Sequence, residues 1–135
     1  MNAAEILLRK VFRFGEQDGD VFVDPGAYIH PDVSTSLFGP SGGKEAMTGR
    51  DAFVEFARRC GEALSGRSDE IIAITGIDEE CALVHARAWR KSKASGEELR
   101  YEWSMLYRVE KGMVTYAADM LDADAQAFWG RILLS

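Results

Sequence analysis

The chain reads as an α+β protein in which a curved antiparallel sheet wraps around N-terminal helices. Three observations predict this. Apolar residues recur at helical spacing near the N-terminus and again from about Asp51. Between Glu70 and Leu121 the pattern changes to four strand-like segments. The separators between those segments are too short for anything but antiparallel neighbours, because a parallel return needs a crossover of a dozen or more residues. Helices then cover one face of a long meander, and a long sheet folded around a helix makes a cone with an apolar mouth suited to a small molecule.

In order along the chain, Ile6, Leu7, Val11 and Phe14 share a helical stripe while Glu5, Arg9, Lys10 and Arg13 mostly take the other side, which predicts a helix over residues 3 to 16. The Gly19 region ends it. Asp24-Pro25 resembles an N-cap followed by proline at the first helical position, predicting a helical turn through Ala27, Tyr28 and Ile29 before His30-Pro31 breaks it. Residues 33 to 38 read as a short strand. Gly39-Pro40-Ser41-Gly42-Gly43 reads as a connection without phosphate-loop spacing. Thr48-Gly49-Arg50-Asp51 looks like a capping signature, and Phe53, Phe56, Ala57, Cys60 and Leu64 form one stripe of a helix from Asp51 to Leu64. After a break at Ser65-Gly66-Arg67-Ser68, strands are expected at Glu70–Ile77, Cys81–Lys91, Glu98–Glu110 and Met113–Leu121. Asp122 then caps a last short helix through Phe128, Trp129, Ile132 and Leu133.

The 135 residues fit a single domain, residues 1–135, large enough to bury a sizeable core. Net charge of −6 argues against nucleic acid and anionic membrane, which both call for a concentrated basic surface. The N-terminus shows no signal-peptide pattern, and no apolar run approaches the roughly 20 residues that span a bilayer. A cytoplasmic location follows as the expectation. Cys60 and Cys81 lack metal-like spacing and are expected to pack as small apolar groups in a reducing compartment, a disulfide or reactive thiol being the alternative.

Strand periodicity sorts the candidates for chemistry. Leu83, His85, Arg87 and Trp89 share one face and Ala82, Val84, Ala86 and Ala88 the other. One face is expected on the pocket and helices, the other in a subunit contact. In the next strand Tyr101, Trp103, Met105 and Tyr107 should face inward. Asp119 sits where a buried strand should carry an apolar residue.

The helix ending near Asp18-Gly19-Asp20, the segment His30-Pro31-Asp32-Val33, the helix opening Gly49-Arg50-Asp51-Ala52-Phe53 and the ending from Gly112 through Asp119-Met120-Leu121-Asp122 together resemble the NTF2-like superfamily, within it the SnoaL-like polyketide cyclase group. The resemblance spans nearly the whole chain. It implies a cystatin-like cone, a hydrophobic pocket and a homodimer through the open sheet face. It implies a cofactor-independent isomerase, cyclase or dehydratase acting by proton transfer next to a carbonyl, or else a non-catalytic ligand-binding or dimerising module. Asp119 would point into the cone and move the proton, His85 would be its alternate, and Arg87 or a tyrosine would stabilise negative charge. The epoxide-hydrolase branch is disfavoured, because no second acidic residue falls beside Arg87. Phe14, Phe53, Phe56, Trp89, Tyr101, Trp103, Met105 and Tyr107 would line the pocket around a small hydrophobic molecule. No metal or organic cofactor is implied. Two bland alternatives stand beside these roles: Asp119 and Arg87 as a structural ion pair, and His85 as a hydrogen-bonded core histidine.

Overall fold

A computed structural model describes residues 2–12, 27–38 and 44–134. Its elements are α1 (Ala3–Val11), β1 (Ile29–Phe38), β2 (Lys44–Thr48), α2 (Arg50–Glu62), β3 (Leu64–Gly76), β4 (Cys81–Ser92), β5 (Glu98–Glu110), β6 (Met113–Met120) and α3 (Ala123–Leu134). The six strands form one curved, unclosed sheet in the order β2-β1-β6-β5-β4-β3. The α+β arrangement is that expected, and β3 to β6 form the antiparallel meander. The sheet is mixed rather than wholly antiparallel, because β1 runs parallel to β6. The long stretch of chain between those two strands supplies the crossover that a parallel pair requires.

Several boundaries move, each for a physical reason. Helix α1 covers Ala3–Val11 with Phe12 at its C-cap, the Phe12 amide donating to the Leu8 carbonyl at 2.9 Å, and the remainder of the helix expected to residue 16 lies outside the described residues. Within it Ala4, Leu8 and Val11 are buried, while Ile6 points outward. The Gly19 region, Asp24-Pro25, Phe14 and the Gly39–Gly43 connection lie outside the described residues. The helical turn expected through Ile29 ends earlier, since Ile29 already opens β1. His30-Pro31 does not interrupt that strand. The pairing with β6 skips from Ile29 to Ser34, and Pro31 sits inside this irregularity, where its missing N–H breaks no ladder bond. The five residues of β2 are too few and too polar to show a strand period. Helix α2 is capped by Gly49 at φ 101° without any side-chain bond, so Thr48 is the end of β2 and not a cap. Ser65–Ser68 is not a break but the start of β3, irregular in register around Gly66.

Packing inside the cone follows from the β4–β5 register. Ala82, Val84, Ala86 and Ala88 are all buried, and they stand opposite Tyr107, Met105, Trp103 and Tyr101 respectively. Small residues on one strand thus make room for the large ones of the next. Phe12, at the end of α1, lies over this aromatic row, its ring centroid 5.9 Å from that of Tyr107 and 6.4 Å from that of Trp103. Phe53 and Phe56 of α2 join the same core. A second cluster, Leu64, Phe128, Trp129 and Ile132, holds α3 against the end of the sheet.

The β5–β6 turn, Lys111-Gly112, has positive φ at both positions, as a two-residue primed turn requires. Just past it, Val109 pairs with Val114 and Arg108 with Tyr116, leaving Thr115 as the extra residue of a bulge. Val114, Ala117 and Asp119 can therefore all be buried although they do not share one uninterrupted period.

Gly66 lies under the indole of Trp89, where an added Cβ would meet ring carbons at 2.5 and 2.9 Å. Gly66→Ala should cost about 1–3 kcal/mol, as overpacking does, measured by urea unfolding. Most of the loss should return in the double variant with Trp89→Leu. Equal stability of Gly66→Ala and the wild type would show that the ring moves freely.

Candidate functional site

Asp119 is 6% exposed and lies on the inner face of β6, opposite Met105 of β5. Near it lie Ala117 on its own strand, which pairs with Thr35 of the adjacent β1, and the aromatic Tyr107 on β5. The Tyr107 hydroxyl donates to the Met105 sulfur at 3.0 Å. Burial pushes the Tyr107 pKa well above the usual phenol value, with Tyr28 and the Asp119 charge acting in the same direction. The phenol is thus a neutral donor beside a carboxyl group. Tyr28, in the turn before β1, and Thr35 of β1 are buried in the same region. The Thr35 hydroxyl makes no hydrogen bond among the described residues. Cys60 of α2 faces this interior, and its thiol is pushed up to about 12, by burial above all.

The residues expected to assist Asp119 lie elsewhere. His85, Arg87 and Trp89 are on the outer face of β4, the opposite side from Ala82, Val84, Ala86 and Ala88. His85 Nε2 meets Glu102 Oε1 at 2.8 Å. Arg87 pairs loosely with Glu70 at 3.9 Å, both side chains well exposed. Trp89 covers Gly66, and its indole N–H donates to Glu98. An Asp119–Arg87 ion pair is therefore absent, and Trp89 does not join the inner row. Tyr101, Trp103, Met105, Tyr107, Phe53 and Phe56 do face the interior, as expected. Phe14 lies outside the described residues.

A second polar group, not singled out from the sequence, lies deeper along β3 and β4. Asp69 and Arg90 form a buried pair, Nη2 to Oδ1 2.8 Å, with side chains only 2% and 7% exposed. Asp69 Oδ1 also accepts the Trp103 indole N–H at 3.0 Å. Arg90 Nη1 donates to the Ser68 and Trp89 carbonyls, and its guanidinium lies 5.8 Å from the Tyr101 ring centroid. The Tyr101 hydroxyl accepts the Trp129 indole N–H at 3.0 Å, tying α3 to the network. Burial raises the Tyr101 pKa. Strand periodicity signals Arg90, which continues the series Ala82, Val84, Ala86 and Ala88 by one step. Asp69 was hidden because the residues before it read as a break. Tyr28 was hidden by the expected helical turn.

Solved structures share this fold. An NTF2-like protein of unknown function from Burkholderia pseudomallei K96243 superposes with a TM-score of 0.66 at 17% identity, over 81% of this chain and 82% of its own. A protein described as a SnoaL-like polyketide cyclase, from Jannaschia sp. CCS1, gives a TM-score of 0.68 at 18% identity, over 90% of this chain and 85% of its own. The fold is NTF2-like. A third match is TerC, co-crystallised with polyporic acid, with a TM-score of 0.60 at 17% identity over 79% of this chain and 81% of that one. No family model and no curated protein matches the sequence. The NTF2-like cone of this chain thus rests on geometry, and the resemblance carried by its short motifs agrees with it. No helix among the described residues is long and apolar enough to cross a membrane.

The raised pKa values set the alkaline behaviour. Native-state values above the unfolded ones mean that the folded chain keeps these protons longer. Their stabilisation is complete below the unfolded pKa and is lost as pH rises, from about 9 through about 12 for Cys60 and from about 10 upward for Tyr101 and Tyr107. Unfolding free energy should fall by up to about 1.4 kcal/mol per pH unit for each group. In Cys60→Ala the decline measured by urea titration should begin near pH 10, the unperturbed tyrosine value, instead of 9. An unchanged onset would remove Cys60 from the account.

Proposed function

We propose that this chain is a cytoplasmic, single-domain protein of the SnoaL-like type that holds a small hydrophobic molecule and moves a proton next to its carbonyl, in an isomerisation, cyclisation or dehydration. The observation that carries this reading is the burial of Asp119 on an apolar, aromatic inner face. A carboxyl group placed there can exchange a proton with carbon when a nearby donor stabilises the developing oxyanion. Tyr107 takes that second role. Its proton is spent on a thioether sulfur, a weak acceptor, so a carbonyl oxygen would compete for it easily. Arg87 and His85, engaged with glutamates on the outer face, are not needed for the reaction. The likeness to a protein described as a SnoaL-like polyketide cyclase and to TerC, co-crystallised with polyporic acid, supports a small organic ligand. Both described cysteines are free thiols, in keeping with a reducing compartment.

The outer sheet face supports homodimerisation, with or without catalysis. Tyr116 and Met120 are exposed there, Met120 to 50%, beside the partly exposed Leu83, Leu106 and Ala118. Charged side chains of both signs, Glu70, Arg87, Glu102 and His85, flank this strip and can pair across a two-fold axis. A non-catalytic dimerising module would keep this face and lack the proton transfer.

Two experiments separate these readings. Steroids, terpenoids, aromatic polyketides and short keto acids are screened by thermal shift, where a ligand at about 100 times its Kd adds about 2.7 kcal/mol. For a stabilising ketone, exchange of its α-hydrogen in D₂O is followed by NMR. Asp119→Asn should slow that exchange by about 10²-fold or more while unfolding no earlier than wild type. Exchange that is unchanged in the variant would exclude Asp119. For the dimer, Met120→Glu should shift the sedimentation coefficient to that of a monomer, and a wild-type protein that already sediments as a monomer would end the proposal.

A further inference from the structure

The Asp69–Arg90 group is left unexplained by proton transfer at Asp119. One carboxylate oxygen of Asp69 is well used: Oδ1 accepts from both Arg90 and Trp103. The other, Oδ2, is buried and makes no hydrogen bond among the described residues. Arg67 Nη2 stands 3.6 Å from it, close enough for charge attraction and too far for a hydrogen bond. Buried polar atoms are nearly always satisfied, and a charged oxygen left with spare acceptor capacity is expensive to keep. The guanidinium of Arg90 is held in place by Nη1 on two backbone carbonyls and Nη2 on Oδ1, and none of its N–H groups bonds Oδ2. Trp103 cannot serve it, its single N–H going to Oδ1.

The surroundings favour a flat, partly polar guest. Tyr101 and Trp103 flank Asp69 from β5, and Trp129 of α3 is bonded to the Tyr101 hydroxyl. Arg67, whose side chain is 37% exposed, can swing outward about its flexible stem. We propose that Asp69 Oδ2 is the polar anchor of the ligand site and accepts a phenolic or enolic hydroxyl of an aromatic ligand, Arg67 yielding its place as the hydroxyl enters. The inference rests on the inner face being a ligand site and adds the group it recognises. It assigns Asp69 to binding and leaves the proton transfer to Asp119.

The test uses para-propylphenol and its methyl ether, which differ only in the hydrogen that Oδ2 would accept. Both are titrated into the whole ¹⁵N-labelled protein while the indole N–H signal of Trp103, the donor to Asp69, is followed by NMR. The phenol should bind about ten-fold or more tightly than the ether, the discrimination expected of a hydrogen bond to a charged acceptor, and it should move the Trp103 signal. Asp69→Asn keeps an oxygen for Arg90 and Trp103 but turns the second acceptor into a donor, so the preference should vanish there. Equal affinity of the two probes for the wild type, binding of neither, or binding that leaves the Trp103 signal in place would each overturn the proposal, whether or not the variant folds. None of these outcomes bears on the ketone-exchange result, so a failed anchor and a failed reaction are told apart.

Discussion

Everything on the inner side of this sheet depends on the pairing of small residues on β4 with large ones on β5. Ala82, Val84, Ala86 and Ala88 face Tyr107, Met105, Trp103 and Tyr101 across the ladder, and the space the alanines leave is what the aromatic rings occupy. Side chains alternate with period two, so a one-residue slip of β4 would drive Leu83, His85, Arg87 and Trp89 into the interior. That would bury a bulky, charged row against rings that already fill the space. The register is thus held by volume and by charge together, and the same register delivers Arg90, the next residue on the alanine face, to the inside.

A guanidinium delivered inside must be paired, and the structure meets that demand with Asp69 from β3. Breaking such a pair by removing one partner is far more costly than never having buried it. Arg90 therefore does more than occupy space. Through Asp69 it fixes the Trp103 indole, and through its contact with the Tyr101 ring it borders the hydroxyl that holds Trp129 of α3. The last helix is anchored by a chain of contacts that begins with strand periodicity on β4. Asp119 lies on β6, past the bulge at Thr115 and within electrostatic reach of Tyr107. Cys60 is within electrostatic reach of both Arg90 and Asp119.

The opposite face has a different logic. Its ion pairs, His85 with Glu102 and Arg87 with Glu70, are solvent-exposed and contribute little to stability by themselves. Their value is to keep a broad open sheet soluble and to give any partner surface a pattern to match. Met120 and Tyr116 stand out on this face as apolar groups that the fold itself does not cover.

Periodicity and turn chemistry determined, without any structure, the α+β class, the four-strand meander, the inward aromatic row and the presence of a carboxylate at Asp119. These are local properties: alternation, spacing and the reach of a short turn are all written in neighbouring residues. Tertiary structure decided what depends on contacts between distant segments. The parallel union of β1 with β6, the short polar strand β2 and the extension of β3 through Ser65–Ser68 exist only because a neighbouring strand supplies hydrogen bonds. Which face of β4 is inner could not be read from β4 alone, since both faces carry apolar residues. Only the volume available against β5 and the helices selected the alanines, sent Arg87 and His85 outward, and brought Asp69 to Arg90.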